Sequence, residues 1–83
     1  MDAKTVIKQF ILNDIQKDHK RKDLEDNESL IDQGVIDSLA IMKMLVFLEE
    51  KFNIQISGDE LILENFETLD SITRLVERKI ATS

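Results

Sequence analysis

Residues 34–54 read Gly34-Val-Ile-Asp37-Ser38-Leu39-Ala-Ile-Met-Lys-Met-Leu-Val-Phe-Leu-Glu-Glu-Lys-Phe-Asn-Ile54, and the rest of the chain is read outward from this stretch. Beyond Gly34 it holds no glycine or proline, so nothing in it breaks a helix. Asp37 is a good N-cap. Its carboxylate can accept a first-turn amide, and its charge suits the positive end of the helix dipole. The spacing predicts a helix that opens at Asp37 or Ser38 and runs to about Phe52. With Ser38 at zero and about 100° per residue, Met44, Leu48, Ile41, Phe52 and Leu45 fall between about 240° and 340°. That is a core stripe of ordinary width. Leu39, Met42 and Val46 form a second apolar stripe between about 40° and 100°, bordered by Lys43, Glu49 and Glu50, with Phe47 further round. Either the helix is central and both stripes are core, or the second stripe is exposed and is where partners dock. An exposed apolar strip with a charged rim is the usual form of an interaction site.

Ahead of this helix, residues 23–36 read as a long acidic loop pinned by Leu24, Leu30 and Ile31. Loops of that length in small domains tend to be functional. The acidic spacing does not make a calcium loop, which needs a glycine at its sixth position and a glutamate at its twelfth. Counting from Asp23, those positions hold Glu28 and Gly34. No metal site is expected. Further out, Val6, Ile7, Phe10, Ile11 and Ile15 recur at three- and four-residue steps, which predicts a first helix from about Asp2 to Gln16. The charged run Lys17 to Lys22 reads as a solvated helix end, where cations suit the dipole. His19 within it has no ligand partner in view and is given no role. Towards the C-terminus, Ser57-Gly-Asp-Glu60 fits a capping box and predicts a short third helix after Ser57. A fourth helix is expected after Thr68, with Leu69, Ile72, Leu75 and Val76 inward and its end near Ile80. No internal repeat is visible. The expectation is a single all-α domain spanning 1–83.

Composition narrows the function. The chain has 83 residues, no cysteine, no proline and a net charge of −6. A chain of this length buries only about 60–65% of the surface it would expose unfolded, so its core is small. Without cysteine there is neither a disulfide framework nor a thiolate metal site. The charge is unevenly placed: residues 23–70 hold thirteen acidic and two basic side chains, while residues 1–22 and 71–83 are each net basic. Such a middle repels nucleic acid and steers basic protein partners towards it. The longest apolar-rich stretch, Leu39 to Leu48, is interrupted by Lys43 and too short to span a bilayer. The N-terminus does not resemble a signal peptide. A cytoplasmic monomer, with no membrane or nucleic-acid role, is the expectation.

The segment Gly34-Val-Ile-Asp37-Ser38-Leu39 followed by Leu48-Glu49-Glu50-Lys51-Phe52-Asn53-Ile54 resembles the signature of acyl and peptidyl (aminoacyl) carrier proteins. The capped short helix and the Glu64-Asn-Phe66-x-Thr68-Leu69 entry to the last helix follow at that family's spacing, so the resemblance covers nearly the whole chain. It implies a four-helix bundle with a long first loop and a short third helix. It also implies that Ser38 is esterified with 4'-phosphopantetheine from coenzyme A by a phosphopantetheinyl transferase, the arm's thiol then carrying cargo as a thioester. By the same resemblance Asp37 helps the transferase bind its metal and the carrier together. Leu39, Met42 and Val46, with Lys43, Glu49 and Glu50 around them, occupy positions that contact the transferase and the loading and condensing enzymes, which favours the docking reading of the second stripe.

The local chemistry agrees with such a role. A phosphodiester on Ser38 would keep its charge beside first-turn amides and the positive end of the dipole. Asp37 belongs to no catalytic triad, and no group is placed to activate the hydroxyl, so no catalytic residue is assigned and the domain reads as a substrate of enzymes. Carriers of fatty-acid synthesis usually have acidic residues where this chain has Ala40 and Lys43, which changes on-rate and partner choice. The wording around Ser38 and Phe66 also resembles stand-alone aminoacyl or peptidyl carriers. Fatty-acyl, polyketide and aminoacyl cargo all stay open. An unmodified helical adaptor, in which Asp37 and Ser38 merely start a helix, is the alternative from another class. A hydrolase would need an acid–base pair in a pocket, for which four small helices leave little room.

Overall fold

In the computed structural model, which describes residues 2–16 and 21–82, the chain is helical with no strand among the described residues. The expected four-helix architecture is present, with the long first loop and the short third helix. α1 spans Ala3–Phe10 and is capped by Asp2, whose carboxylate accepts the Thr5 amide at 2.9 Å. It widens into a π-helical turn over Ile11–Ile15, closed by the Gln16 amide donating to the Ile11 carbonyl at 3.0 Å. In an α-helix each four-residue step advances about 40° round the axis, so Ile7, Ile11 and Ile15 would drift off one line. The wider turn opposes that drift, and all three isoleucines are buried. Gln16 has extended backbone, so the helix stops before the charged run expected to be its end. Lys17 to Lys20, including His19, lie outside the described residues. Of the run's other members, Arg21 pairs with Glu28 across the loop.

α2 spans Ser38–Phe52, as the spacing predicts. It ends at Asn53, whose φ of 55° is left-handed, a conformation asparagine tolerates well at a helix C-terminus. Met44 and Leu48 are fully buried, while Ile41, Leu45 and Phe52 are half-buried against the core. Ala40 is buried too, and Phe47 stacks on Phe10 with ring centroids 3.8 Å apart. The face of α2 turned towards the rest of the protein is therefore wider than the core stripe alone.

The third helix departs from expectation. Glu60 accepts both the backbone N–H and the hydroxyl of Ser57 at 2.9 Å, but this motif closes only a 3₁₀ turn, Gly58–Glu60. Leu61, at φ −84° and ψ 61°, leaves helical geometry, and the Asn65 side-chain amide donates to the Glu60 carbonyl at 2.8 Å. α3 then spans only Leu63–Phe66. The break lets Phe66 enter the core completely while Ile62 and Leu63 stay exposed. α4 spans Leu69–Thr82, slightly beyond its expected end. It begins with a reciprocal pair in which the Ser71 amide donates to Thr68 Oγ1 and the Thr68 amide to Ser71 Oγ. Leu69, Ile72, Leu75 and Val76 are all fully buried, as expected.

The loop of residues 23–36 is held from three sides. Leu24 and Leu30 are buried as expected, but the third deep anchor is Ile36, and Ile31 is only half-buried. The Leu30 amide donates to the Glu67 carbonyl at 2.7 Å, and the Asp70 amide to the Asp26 carbonyl at 2.9 Å, which tie the loop to the start of α4. The Leu30 carbonyl in turn accepts the amides of Val35 and Ile36. Gly34, at φ +75°, makes this turn possible, since a side chain there would be strained. Ion pairs supply the third tie: Lys4 reaches Asp26 at 2.9 Å, Lys8 reaches Asp23 at 3.0 Å, and Arg21 reaches Glu28. The Lys8 ammonium beside Asp23 holds that carboxyl below its ordinary range, and the Asp26 carboxylate raises Lys4 above its own. The basic N-terminal part of the chain thus folds onto the acidic middle and neutralises part of it.

Candidate functional site

Ser38 is the first residue of α2, and its side chain is exposed. Three features of the local sequence put it there. The turn through Gly34 reverses the chain, Ile36 buries and anchors the approach, and Asp37 caps the helix by accepting the Ala40 amide at 2.9 Å. The Asp37 carbonyl also accepts the Ile41 amide at 2.9 Å, the first helical bond. Asp37 is itself exposed. The hydroxyl therefore stands at the positive end of a four-turn helix, on a backbone fixed from both sides. A covalently held phosphodiester fits this position, because its anionic oxygens would meet first-turn amides rather than carbonyls. Among the described residues no group of three His, Cys, Asp or Glu side chains could hold a metal ion.

The second apolar stripe faces solvent. Leu39 is 60% exposed, Met42 52% and Val46 54%, which excludes a core role for all three. Lys43 and Glu50 on its border are exposed as well. Glu49 differs from the other border residues. It is half-buried, and its carboxylate accepts the Ile56 amide at 2.9 Å, bracing the segment after α2. Spacing placed Glu49 on the rim but gave no sign of this bond, which depends on the left-handed turn at Asn53. Beside Met42 and Val46 the surface continues onto Phe10 at the end of α1 and Asp14 in the π-helical turn, forming a shallow apolar depression with Lys43 at its edge. Sequence reasoning did not anticipate this bridge from α2 to α1. Phe10 and Phe47 stack between these two segments, a contact that the spacing within either helix does not show.

A separate cleft of about 340 Å³ opens next to Ser38. Its walls come from the end of the first helical segment (Ile15, Gln16), from Arg21, from the turn at Gln33, Gly34 and Val35, and from Asp37, Leu39, Ala40 and Lys43.

Residues 9–76 match the family model described as the phosphopantetheine attachment site. The chain belongs to that family, whose prosthetic group is a covalently attached phosphopantetheine. It is a carrier protein, holding acyl or aminoacyl groups as thioesters on that arm. Its similarity to individual carriers is substantial. It is 39% identical over 72 residues to the D-alanyl carrier protein of Lactobacillus acidophilus, covering 84% of this chain and 90% of the relative. It is 37% identical over 73 residues to an acyl carrier protein homolog of Mycoplasmopsis pulmonis, covering 88% and 94%. Among solved structures, a chain of one described as "Crystal structure of FAD-dependent dehydrogenase" superposes with a TM-score of 0.71 at 27% identity, covering 84% of this chain and 97% of that one.

Proposed function

We propose that Ser38 is the residue that carries the arm, and that the protein is a non-catalytic carrier worked on by other enzymes. The observation that supports this most directly is the exposed Ser38 hydroxyl at the Asp37-capped start of α2. A phosphopantetheinyl transferase would join the serine oxygen to the phosphate of coenzyme A, with the adenosine bisphosphate portion leaving. Loading and condensing enzymes would then use the arm's thiol. Asp37 would orient the transferase and its metal, and Leu39, Met42 and Val46 would form the docking face, with Lys43 and Glu50 as its charged rim and Glu49 at its edge. The carrier is assigned to the cytoplasm, where coenzyme A is supplied. The test is to incubate the protein with coenzyme A and a broad-specificity transferase and to measure intact mass. Wild type is expected to gain one arm and Ser38→Ala none. A gain in Ser38→Ala, or none in wild type, overturns the assignment and favours the unmodified adaptor.

For cargo, small aminoacyl groups are favoured over long acyl chains. The positions between the helices where an acyl chain would have to shelter hold Met44, Leu48 and Phe66, each fully buried in the core. Long chains would therefore have to displace packed side chains, at a cost. The similarity to two D-alanyl carrier proteins points the same way. Offering the arm-bearing protein to amino-acid-activating and fatty-acid-activating loading enzymes separates the readings: a covalent aminoacyl adduct is expected, and loading by the fatty-acid enzyme alone would reverse the preference.

A further inference from the structure

We infer that the cleft between the Gln33–Val35 turn, the end of the first helical segment and the start of α2 is a resting site for the pantetheine arm. This rests on attachment at Ser38. The arm alternates apolar and polar groups: a dimethyl-bearing carbon next to a hydroxyl, then two secondary amides, then an ethanethiol. The cleft offers both kinds of surface. Ile15, Val35 and Ala40 give it an apolar wall, while Gln33 and Lys43, both exposed, line it with polar groups.

Its position makes it reachable. Asp37 and Leu39, the residues flanking Ser38, both line it, as does Ala40 one residue further on, so the cleft lies within reach of an arm rooted at the serine. Two of its lining residues, Gln16 and Arg21, are already held in place by the protein itself. The Gln16 side chain is buried and donates to the carbonyls of Leu12 at 2.8 Å and Arg21 at 2.9 Å, while accepting the Arg21 amide at 3.3 Å. Arg21 is further held by Glu28. Gln16 and Arg21 are thus occupied as framework, which leaves Gln33, among the described lining residues, as the side-chain amide available to an arm amide.

Size sets the limit of what enters. At about 340 Å³ the cleft lies near the lower end of ligand sites, which run from about 300 to 1,000 Å³. It suits the arm or part of it, and leaves no room for a long acyl chain beside it. The thiol end would be sheltered between loading events and released when a partner takes it up.

The test uses isotope-labelled protein carrying an unlabelled arm, with modification confirmed by intact mass. Filtered NOE spectra are expected to connect the arm's paired methyl groups to the methyls of Ile15, Val35 and Ala40. Amide shifts relative to the unmodified protein are expected at Gln16, Arg21, Gly34 and Val35 as well as beside Ser38. Gln33→Trp, at an exposed cleft position, is expected to abolish those NOEs and to raise the rate of thiol reaction with a disulfide reagent severalfold. A modified protein whose arm methyls show no NOE, or show them to Met42, Val46 or Leu63 instead, overturns the cleft alone. An unmodified Ser38 overturns the attachment reading and the cleft with it.

Discussion

At the scale of single residues, burial separates side chains that look alike in sequence. Met42 and Met44 are two positions apart on one helix, yet Met42 is 52% exposed and Met44 fully buried. Met44→Ala is expected to cost about 2–5 kcal/mol of folding stability. Met42→Glu should stay within about 0.5 kcal/mol of wild type, as surface changes do, while slowing arm transfer or loading. Denaturant unfolding with a parallel modification assay checks both, and a Met42→Glu variant as unstable as Met44→Ala would remove the docking stripe. Glu49 and Glu50 make the matching contrast among charges. Glu49→Ala leaves the Ile56 amide without its acceptor and should cost about 1–2 kcal/mol, whereas Glu50→Ala should affect partner binding more than stability. The helical period was enough to find a second apolar stripe but not to decide whether it was core or surface, and Ser38 stood out through the family resemblance rather than through spacing. Nor was the period enough to show that Glu49 is tied to Ile56, because that contact depends on how Asn53 turns the chain.

At the scale of elements, the sequence marked helix starts more reliably than helix lengths. Asp37 and Thr68 cap the helices expected to start beside them, and Asp2 proves to cap the first. A capping motif satisfies the first amides but does not determine how far the helix continues, so Ser57-Gly-Asp-Glu60 carries the mark of a helix start and yet closes only a 3₁₀ turn. The π-helical turn escaped for a related reason, since its residues keep the apolar spacing of an α-helix. Glu60 nevertheless has a role beyond that turn. The Ser57 amide, then Lys79 at 2.9 Å, then the Ser57 hydroxyl hold its carboxyl down from an ordinary 4.5 to about 2. A carboxyl lowered by folding adds stability that is fully present above its unfolded pKa and is lost as pH falls through the folded one. The Glu60 contribution should therefore be complete above about pH 4.5 and fade towards pH 2. Melting temperatures of wild type and Glu60→Gln, followed by circular dichroism, should differ at neutral pH and converge across that window. A difference that persists unchanged at pH 2 would show that the carboxylate charge is not the cause.

At the scale of the whole molecule, Leu30 links the regions that position Ser38. Its side chain is fully buried, its amide binds the Glu67 carbonyl just before α4, and its carbonyl holds Val35 and Ile36 just before Asp37. The sequence pointed to Leu30 as an anchor of the loop, but not to this linkage, because the partners lie far apart along the chain and meet only in the folded structure. Leu30→Ala keeps the backbone bonds and removes the packing that aligns them. It should lower stability by about 2–5 kcal/mol, which for a domain of this size corresponds to a fall in melting temperature of roughly 10 °C or more. Two effects on modification then have to be separated. If Leu30 matters only for global folding, arm transfer to the folded fraction should proceed at the wild-type rate once assayed well below the melting point. If it also fixes the start of α2, transfer should stay slow there, and amide exchange should quicken at Val35, Ile36 and Ala40 while α4 remains protected. The hydrogen-bond path from Glu67 through Leu30 to Ile36 predicts the second outcome, since the loop's other backbone tie at the start of α4, from Asp70 to Asp26, lies further along the chain from Asp37.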